Sequence, residues 1–346
     1  MTCKNKNKDL LIDIGTRYTK IYSSHQDKYY IEPSAYARKK SNGKIIAFGS
    51  EVYKYIDDES ITIEWPIVFD RLCDIESFQF VRAIIKNNKI TAYDNSIVYS
   101  KDDFGTEVEL YAFFKGMEKL RSKKLYSVSR AVANCLGEGI DIFNEKALLN
   151  INVGYDVTDI SLISYGKVVS TTFLYKGIRN LDNKVNDYIT EVSNIIPSFF
   201  EIEKIRRSYS LEQEIFIKGI DKSSGLVIEK TISIKDKTSY FNGVCKQIAE
   251  EIMTKINELI RFLPLETKIE LRKKAFIITG EGAKDLGTYL ENIIKDNYFK
   301  SYIVKEPSMS ATKGLVKIIN DINLDTVLRK EDNISIKKWL LNTWNM

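Results

Sequence analysis

The chain has 346 residues, 44% of them hydrophobic and 29% charged, enough to bury a sizeable core, so a disordered chain is excluded. Its 52 Lys and Arg against 47 Asp and Glu leave a formal charge of +5, with the signs interspersed, which gives nucleic-acid binding no support. The one histidine, His25 in "SSHQDKYY", leaves little material for a Ser-His-Asp or Cys-His relay.

From the N-terminus, "MTCKNKNKDLLIDIG" has no apolar run long enough for a signal peptide, and no stretch reaches the length of a membrane span. The four cysteines, Cys3, Cys73, Cys135 and Cys245, form no CxxC pair, which argues against zinc or a disulfide framework and fits a reducing cytoplasm. Residues 9–24, "DLLIDIGTRYTKIYSS", predict two strands about a Gly-Thr turn. "KYYIEPSAYARK" and "KIIAFGSEVYKYI" predict short strands and a helix, punctuated by Pro33 and Gly49. Residues 79–98 predict a helix leading into a strand, and "DFGTEVELYAFFKGMEKL" a helix. "KLYSVSRAVANCLGEGIDIF" then predicts a strand running into a small-residue helix ended by Gly137 and Gly139.

Residues 151–169, "INVGYDVTDISLISYGKVV", repeat the first hairpin in outline, with Gly154 and Thr158 in the turn. Two hairpins of this kind, about half a chain apart, predict an internally duplicated fold. After Gly177 come helices over "NLDNKVNDYITEV" and "EIEKIRRSYS", then paired strands over "EIFIKGI" and "LVIEKTISI". The amphipathic helix "GVCKQIAEEIMTKINELIRFL" ends before Pro264. "KKAFIITGEGAKDLGTYLENII" predicts strand, glycine-rich turn and helix, and "ATKGLVKIIND" a closing helix. Strands alternating with helices put the chain in the α/β class. Strand-turn-strand units with hydroxyls, and a glycine-rich turn opening a helix, are the parts from which phosphate sites are built.

The order of these loops resembles the actin-like ATPase superfamily, and within it the bacterial cell-shape actins of the MreB family. "LLIDIGTRYTKIY" is similar to the first phosphate loop, "IEPSAYARKKSNGKIIAFGSEV" to the strand pair after it, and "IEWPIVFDRLCDIESFQFV" to the passage that follows. "CLGEGIDIFNEKALLNINVGYDVTDISLISYGKVVSTTFLYKGIRNLDNKVNDYI" is the densest match. "EIEKIRR" resembles the adenosine-contacting helix, and "AFIITGEGAKDLGTYLENI" and "VKEPSMSATKGLVKII" the end of the family. The resemblance runs in order to about residue 320. It implies two lobes, each a mixed β-sheet flanked by helices on a duplicated ribonuclease-H-like core. The first lobe would comprise residues 1–147 with the C-terminal helix 311–330 and a small subdomain at 32–78. The second would comprise 148–310 with a small subdomain at 182–243, leaving 331–346 as a tail.

Carried over by position, the resemblance makes Asp13 the carboxylate beside Mg²⁺ and the phosphates, with Gly15, Thr16, Arg17 and Tyr18 offering amides and Lys20 a phosphate-contacting charge. Asn152, Gly154, Asp156 and Thr158 would form the second phosphate loop. Glu203 and Arg206 would hold adenosine, and Thr279, Gly280, Glu281 and Gly282 the adenosine loop. The cofactor implied is ATP or GTP with Mg²⁺. Three departures stand out. Asn152 replaces an aspartate, removing a charge that helps hold a hydrated cation. Tyr155 and Asp156 replace glycines, with side chains expected to crowd or repel a γ-phosphate. Ser129 or Arg130 falls where the family has the glutamate that orients the attacking water, and neither does a carboxylate's work. Glu138, a conceivable substitute, lies at the far end of its helix and is expected to be solvated.

The chain ends "RKEDNISIKKWLLNTWNM". On a helix, Ile336, Trp339, Leu340 and Trp344 share one face, the pattern of a helix lying in a membrane interface or docking on protein; the tail is similar to that of the division actin FtsA. The function implied is a nucleotide-dependent, filament-forming cytoskeletal protein with degraded hydrolysis. It would lie in the cytoplasm, peripheral at the inner membrane face, with copies of itself and cell-shape or division proteins as partners and no nucleic acid. The alternatives are an FtsA-like membrane adaptor, a plasmid-segregation ATPase and a small-molecule kinase.

Overall fold

The computed structural model describes residues 9–68, 71–72, 78–90, 96–208, 214–233 and 237–330. The apolar run Leu10–Ile14 is buried at every position, as a strand covered on both faces requires. It pairs antiparallel with Tyr18–Ser23, which pairs antiparallel with Lys28–Pro33. On its other side Leu10–Ile14 runs parallel to Ser96–Lys101, and that strand runs parallel to Lys124–Ser129. The short strand Arg329–Lys330 adds antiparallel to the outer edge.

The second sheet repeats this plan. Leu148–Val153, Thr158–Ser164 and Lys167–Leu174 form the antiparallel trio, and Ala275–Thr279 and Lys300–Ile303 supply the parallel pair. The two hairpin turns share a backbone signature. Gly15 N–H donates to the Tyr18 carbonyl at 3.1 Å, and Gly154 N–H donates to the Val157 carbonyl at 2.9 Å. The duplication predicted from the hairpin spacing is therefore present at the level of sheet order and of single hydrogen bonds.

Between the sheets lie the helices Arg130–Gly137 and Ser310–Asn320. Their Ala131, Cys135 and Leu315 share one core with Leu11 and Val98 of the first sheet and Leu148, Ile163 and Ile277 of the second. The helices touch backbone to backbone. A Cβ at Gly137 would lie 2.0 Å from the Ser310 carbonyl oxygen, and one at Gly314 would lie 1.8 Å from that of Ala133, so no larger residue fits either position. As expected, Gly139 follows this helix with a positive φ of +79°.

Each lobe also carries a small sheet. Tyr36–Lys39, Ile45–Phe48 and Ile61–Glu64 form one, and Ile195–Pro197, Glu214–Asp221 and Val227–Ser233 the other. The helix expected after Phe48 is a 3₁₀ helix, Gly49–Tyr55. Among the elements not expected from the sequence are the strands Ile195–Pro197 and Lys300–Ile303 and the helix Leu265–Lys273. The two strands have four residues or fewer, too short to show a period. The helix has a single buried residue, Leu271, and so lacks an apolar face. Among the described residues no helix is long and apolar enough to cross a membrane. His25 is exposed. The candidate membrane face, Ile336, Trp339, Leu340 and Trp344, lies outside the described residues.

Candidate nucleotide cleft

The two hairpin turns converge on a cleft of about 500 Å³, measured out to open solvent. Asp13, Gly15, Thr16, Arg17, Tyr18 and Lys20 line it from the first lobe, and Asn152, Gly154, Gly280 and Glu281 from the second. Ten of the sixteen positions expected to contact nucleotide are therefore gathered here; the other six, Asp156, Thr158, Glu203, Arg206, Thr279 and Gly282, stand behind this surface. Asn134, which no sequence motif marks, lines the cleft too, as do Arg130 and Tyr155, expected there only as departures from the family pattern.

Asp13 sits at the end of the buried first strand. Its Oδ1 accepts the Ser100 hydroxyl at 2.5 Å and lies 3.5 Å from Arg130 Nε; its Oδ2 lies 3.3 Å from Lys20 Nζ. Burial opposes its charge, but Lys20, Arg130 and the Ser100 hydrogen bond outweigh that and hold the carboxyl below its ordinary range. Arg130, the first residue of the helix between the sheets, is also ion-paired with Asp102, and its Nη2 donates to the Ile14 carbonyl at 2.9 Å. Ser129 caps that helix by accepting from Val132 N–H and donates to Asp103. Of Ser129 and Arg130, the two residues expected at the family's catalytic position, Arg130 lines the cleft. Glu138, expected to be solvated, is half-buried and accepts the Ser310 hydroxyl at 2.7 Å, because the neighbouring helix is packed against its own.

The second loop is bound to its own lobe. Asn152 Nδ2 donates to Asp159 at 2.6 Å, and Thr158 donates to the Lys176 carbonyl at 2.8 Å. Asp156 is turned away from the cleft and bidentate with Arg179. The repulsion expected between Asp156 and a γ-phosphate is thus removed, since an arginine neutralises that carboxylate inside the lobe. Tyr155 does take up cleft space, and burial and Asp182 push its hydroxyl pKa well above the ordinary value. Gly280 has φ +87°, and a Cβ there would meet the Val153 carbonyl oxygen at 2.4 Å, which makes glycine necessary at that turn. Asn134 ties the lobes at the cleft floor, its Nδ2 donating to Asn150 at 3.2 Å and Thr279 at 3.0 Å.

Side chains from both lobes meet across the mouth. Arg17 Nη2 lies 2.7 Å from Glu203, and the Tyr18 hydroxyl donates to the same carboxylate at 2.9 Å. The Arg17 guanidinium lies against two rings, 3.8 Å from the Trp65 centroid and 3.2 Å from that of Phe199. Tyr53 meets Phe200 edge-on at 4.5 Å, and Lys218 pairs with Asp57 at 2.6 Å. The residues expected to hold adenosine are tied down by ion pairs. Arg206 bridges Asp182 and Asp285 at 2.5 and 2.6 Å, and Arg207 bridges Glu203 and Glu281 at 2.5 and 3.0 Å.

Comparison with known proteins agrees with this geometry. The profile of the MreB/Mbl protein family matches residues 7–326. The cell shape-determining protein Mbl of Bacillus subtilis is 25% identical over 80% of this chain and 85% of its own length. MreB of Escherichia coli is 19% identical over 80% and 83%. Among solved structures, MreB 5 of Spiroplasma citri bound to AMPPNP superposes with a TM-score of 0.79 at 21% identity, covering 93% of this chain and 99% of that one. A MamK double helical filament superposes at 0.70 with 15% identity, over 91% and 99%. The fold is actin-like, with two mixed sheets flanked by helices.

Proposed function

We infer that this chain, which belongs to the MreB/Mbl family, is an actin-like cell-shape protein that binds a nucleotide between its lobes and assembles into filaments with little or no hydrolysis. The observation that carries the last point is the state of the cleft carboxylates. Asp13 and Glu281 line the cleft, and both are ion-paired, with Lys20 and Arg130 in one case and Arg207 in the other. A general base needs a lone pair free to take a proton from the water, and both carboxylates are engaged by protein cations instead. Nucleotide binding is supported by the convergence of both turns with Arg17 and Lys20 on one cleft, and by structural neighbours bound to AMPPNP and ADP. Self-assembly is supported by the filament formed by MamK; a nucleotide that favours one closure of the lobes would favour the polymerising conformation.

Sedimentation of the purified protein with ATP, with ADP and without nucleotide tests the reading. Polymer should pellet while phosphate release stays at the level of an Asp13→Ala control. No polymer under any condition overturns the filament assignment, and sustained phosphate release overturns the hydrolytic one. A position at the inner membrane face rests on the amphipathic sequence of residues 331–346. Flotation with anionic liposomes by the full chain, and not by a chain ending at Asp332, is the expected result; equal flotation removes the membrane role.

A further inference from the structure

We propose that this cleft takes the phosphates of a nucleotide without a divalent cation, Arg130 and Lys20 standing as fixed protein cations on the carboxylate that would orient hydrated magnesium. The inference deepens the nucleotide-binding reading above and rests on it.

The donor set at Asp13 does not suit a hard divalent ion. Magnesium needs near-octahedral oxygen ligands and keeps its waters ordered through carboxylates. Here one Asp13 oxygen already meets a hydroxyl and a guanidinium, and the other an ammonium. Arg130 is held in that place from three sides, by Asp13, Asp102 and the Ile14 carbonyl, and as an arginine it does not lose its proton. The second position where a charge would help hold the hydrated ion is Asn152, which is neutral and gives its amide to Asp159. Among the described residues no group of three or more His, Cys, Asp or Glu is placed to hold a metal.

The charge that a metal would bring to a phosphate chain has a protein source instead. Arg17, Lys20 and Arg130 all line the cleft. Arg17 is almost wholly buried, and its Nη1 has no hydrogen-bond partner among the described residues, although a buried charged donor is costly to leave unmatched. A phosphate oxygen is an acceptor of the right charge for it.

Binding of a fluorescent ATP analogue to the full chain, in magnesium and in excess EDTA, reads this directly. Affinity should agree between the two media to within about twofold, since both oxygens of Asp13 already meet protein cations that offset its charge. Binding that requires magnesium overturns the inference and leaves the nucleotide reading intact; no binding in either medium overturns both. Arg130→Glu should weaken binding in EDTA by on the order of tenfold to a hundredfold, as expected for losing a charged donor, with recovery on adding magnesium. Arg130→Lys should remain indifferent to the metal. An Arg130→Glu protein with native near-UV circular dichroism and unchanged, metal-indifferent binding would overturn the role of Arg130. Should that variant not fold, the wild type and Arg130→Lys in the two media still decide the question.

Discussion

Arg17 Nη2 lies 2.7 Å from Glu203 Oε2, joining the first hairpin turn of one lobe to a helix of the other with both side chains almost wholly buried. A buried pair of this kind is weak evidence for net stability but costly to break on one side, about 3–5 kcal/mol, because the remaining charge is left without its partner. Glu203→Leu, which takes the carboxylate from Arg17, should therefore lower stability by that order; Arg17→Met should lower it less, because Glu203 keeps Arg207 and the Tyr18 hydroxyl, and the double variant should cost less than the sum of the two. Urea denaturation of the two single variants and the double variant checks the non-additivity.

Trp65 is the ring against which Arg17 stacks, and it meets Phe199 at 5.0 Å and Phe200 at 6.2 Å from the opposite lobe. Because Trp65 is half-buried, Trp65→Ala should cost less than the ~3–5 kcal/mol of a core tryptophan. Its main effect should be geometric, an opening of the mouth visible as a larger radius of gyration by small-angle X-ray scattering.

Gly314→Ala should be among the most damaging small changes in the chain. Overpacking costs about 1–3 kcal/mol and sometimes more, and here the added carbon meets backbone at 1.8 Å, so the two helices must separate. Gly243→Ala is the matching control. That glycine lies in the helix Lys237–Arg261, with nothing within 4 Å of an added Cβ, and alanine there should stabilise by up to about 1 kcal/mol. Melting temperatures of the two variants should move in opposite directions.

The Asp13 carboxyl has a folded-state pKa below the ordinary 3.8, set by Lys20 and Arg130 against the cost of burial. A depressed carboxylate contributes stability that is present above its unfolded pKa and is lost as pH falls through the folded one. Asp13→Asn should therefore be less stable than wild type at pH 7, and the gap should close as the pH is taken below 3.8. Asp182, raised chiefly by burial against the pull of Arg206, acts in the opposite sense, so a pH series on the Asp13→Asn difference, rather than on wild type alone, isolates the effect.

The hairpins were legible in the sequence because an apolar run, a Gly-Thr or Gly-containing turn and a second apolar run leave few alternatives. The helix of residues 130–137 was legible from its small residues and terminal glycines. Partner choice was not. Asp156 reads as a charge beside a phosphate, yet Arg179, twenty-three residues away, takes it. Arg130 reads as a lost glutamate, yet its value lies in meeting Asp13 from a distant strand. The clasp at Trp65, Phe199 and Phe200 joins residues more than a hundred positions apart with no shared period. The nearest hint was a tryptophan in "IEWP", since a large aromatic side chain in a small subdomain needs somewhere to be covered.

The glycine contact between the two central helices also fixes when the protein can finish folding. Gly137 and Ser310 are 173 positions apart, 310 minus 137, and ribosomes add about 5–20 residues per second. The helix Arg130–Gly137 therefore emerges roughly 9–35 seconds before its partner at that rate, with the faces of Ala133 and Gly137 that meet Gly314 and Ser310 lacking that cover for the interval. The edge strand Arg329–Lys330 arrives later still. The first half of the chain is thus the half that waits during synthesis, and it is the half for which chaperone occupancy on stalled ribosomes should be greatest.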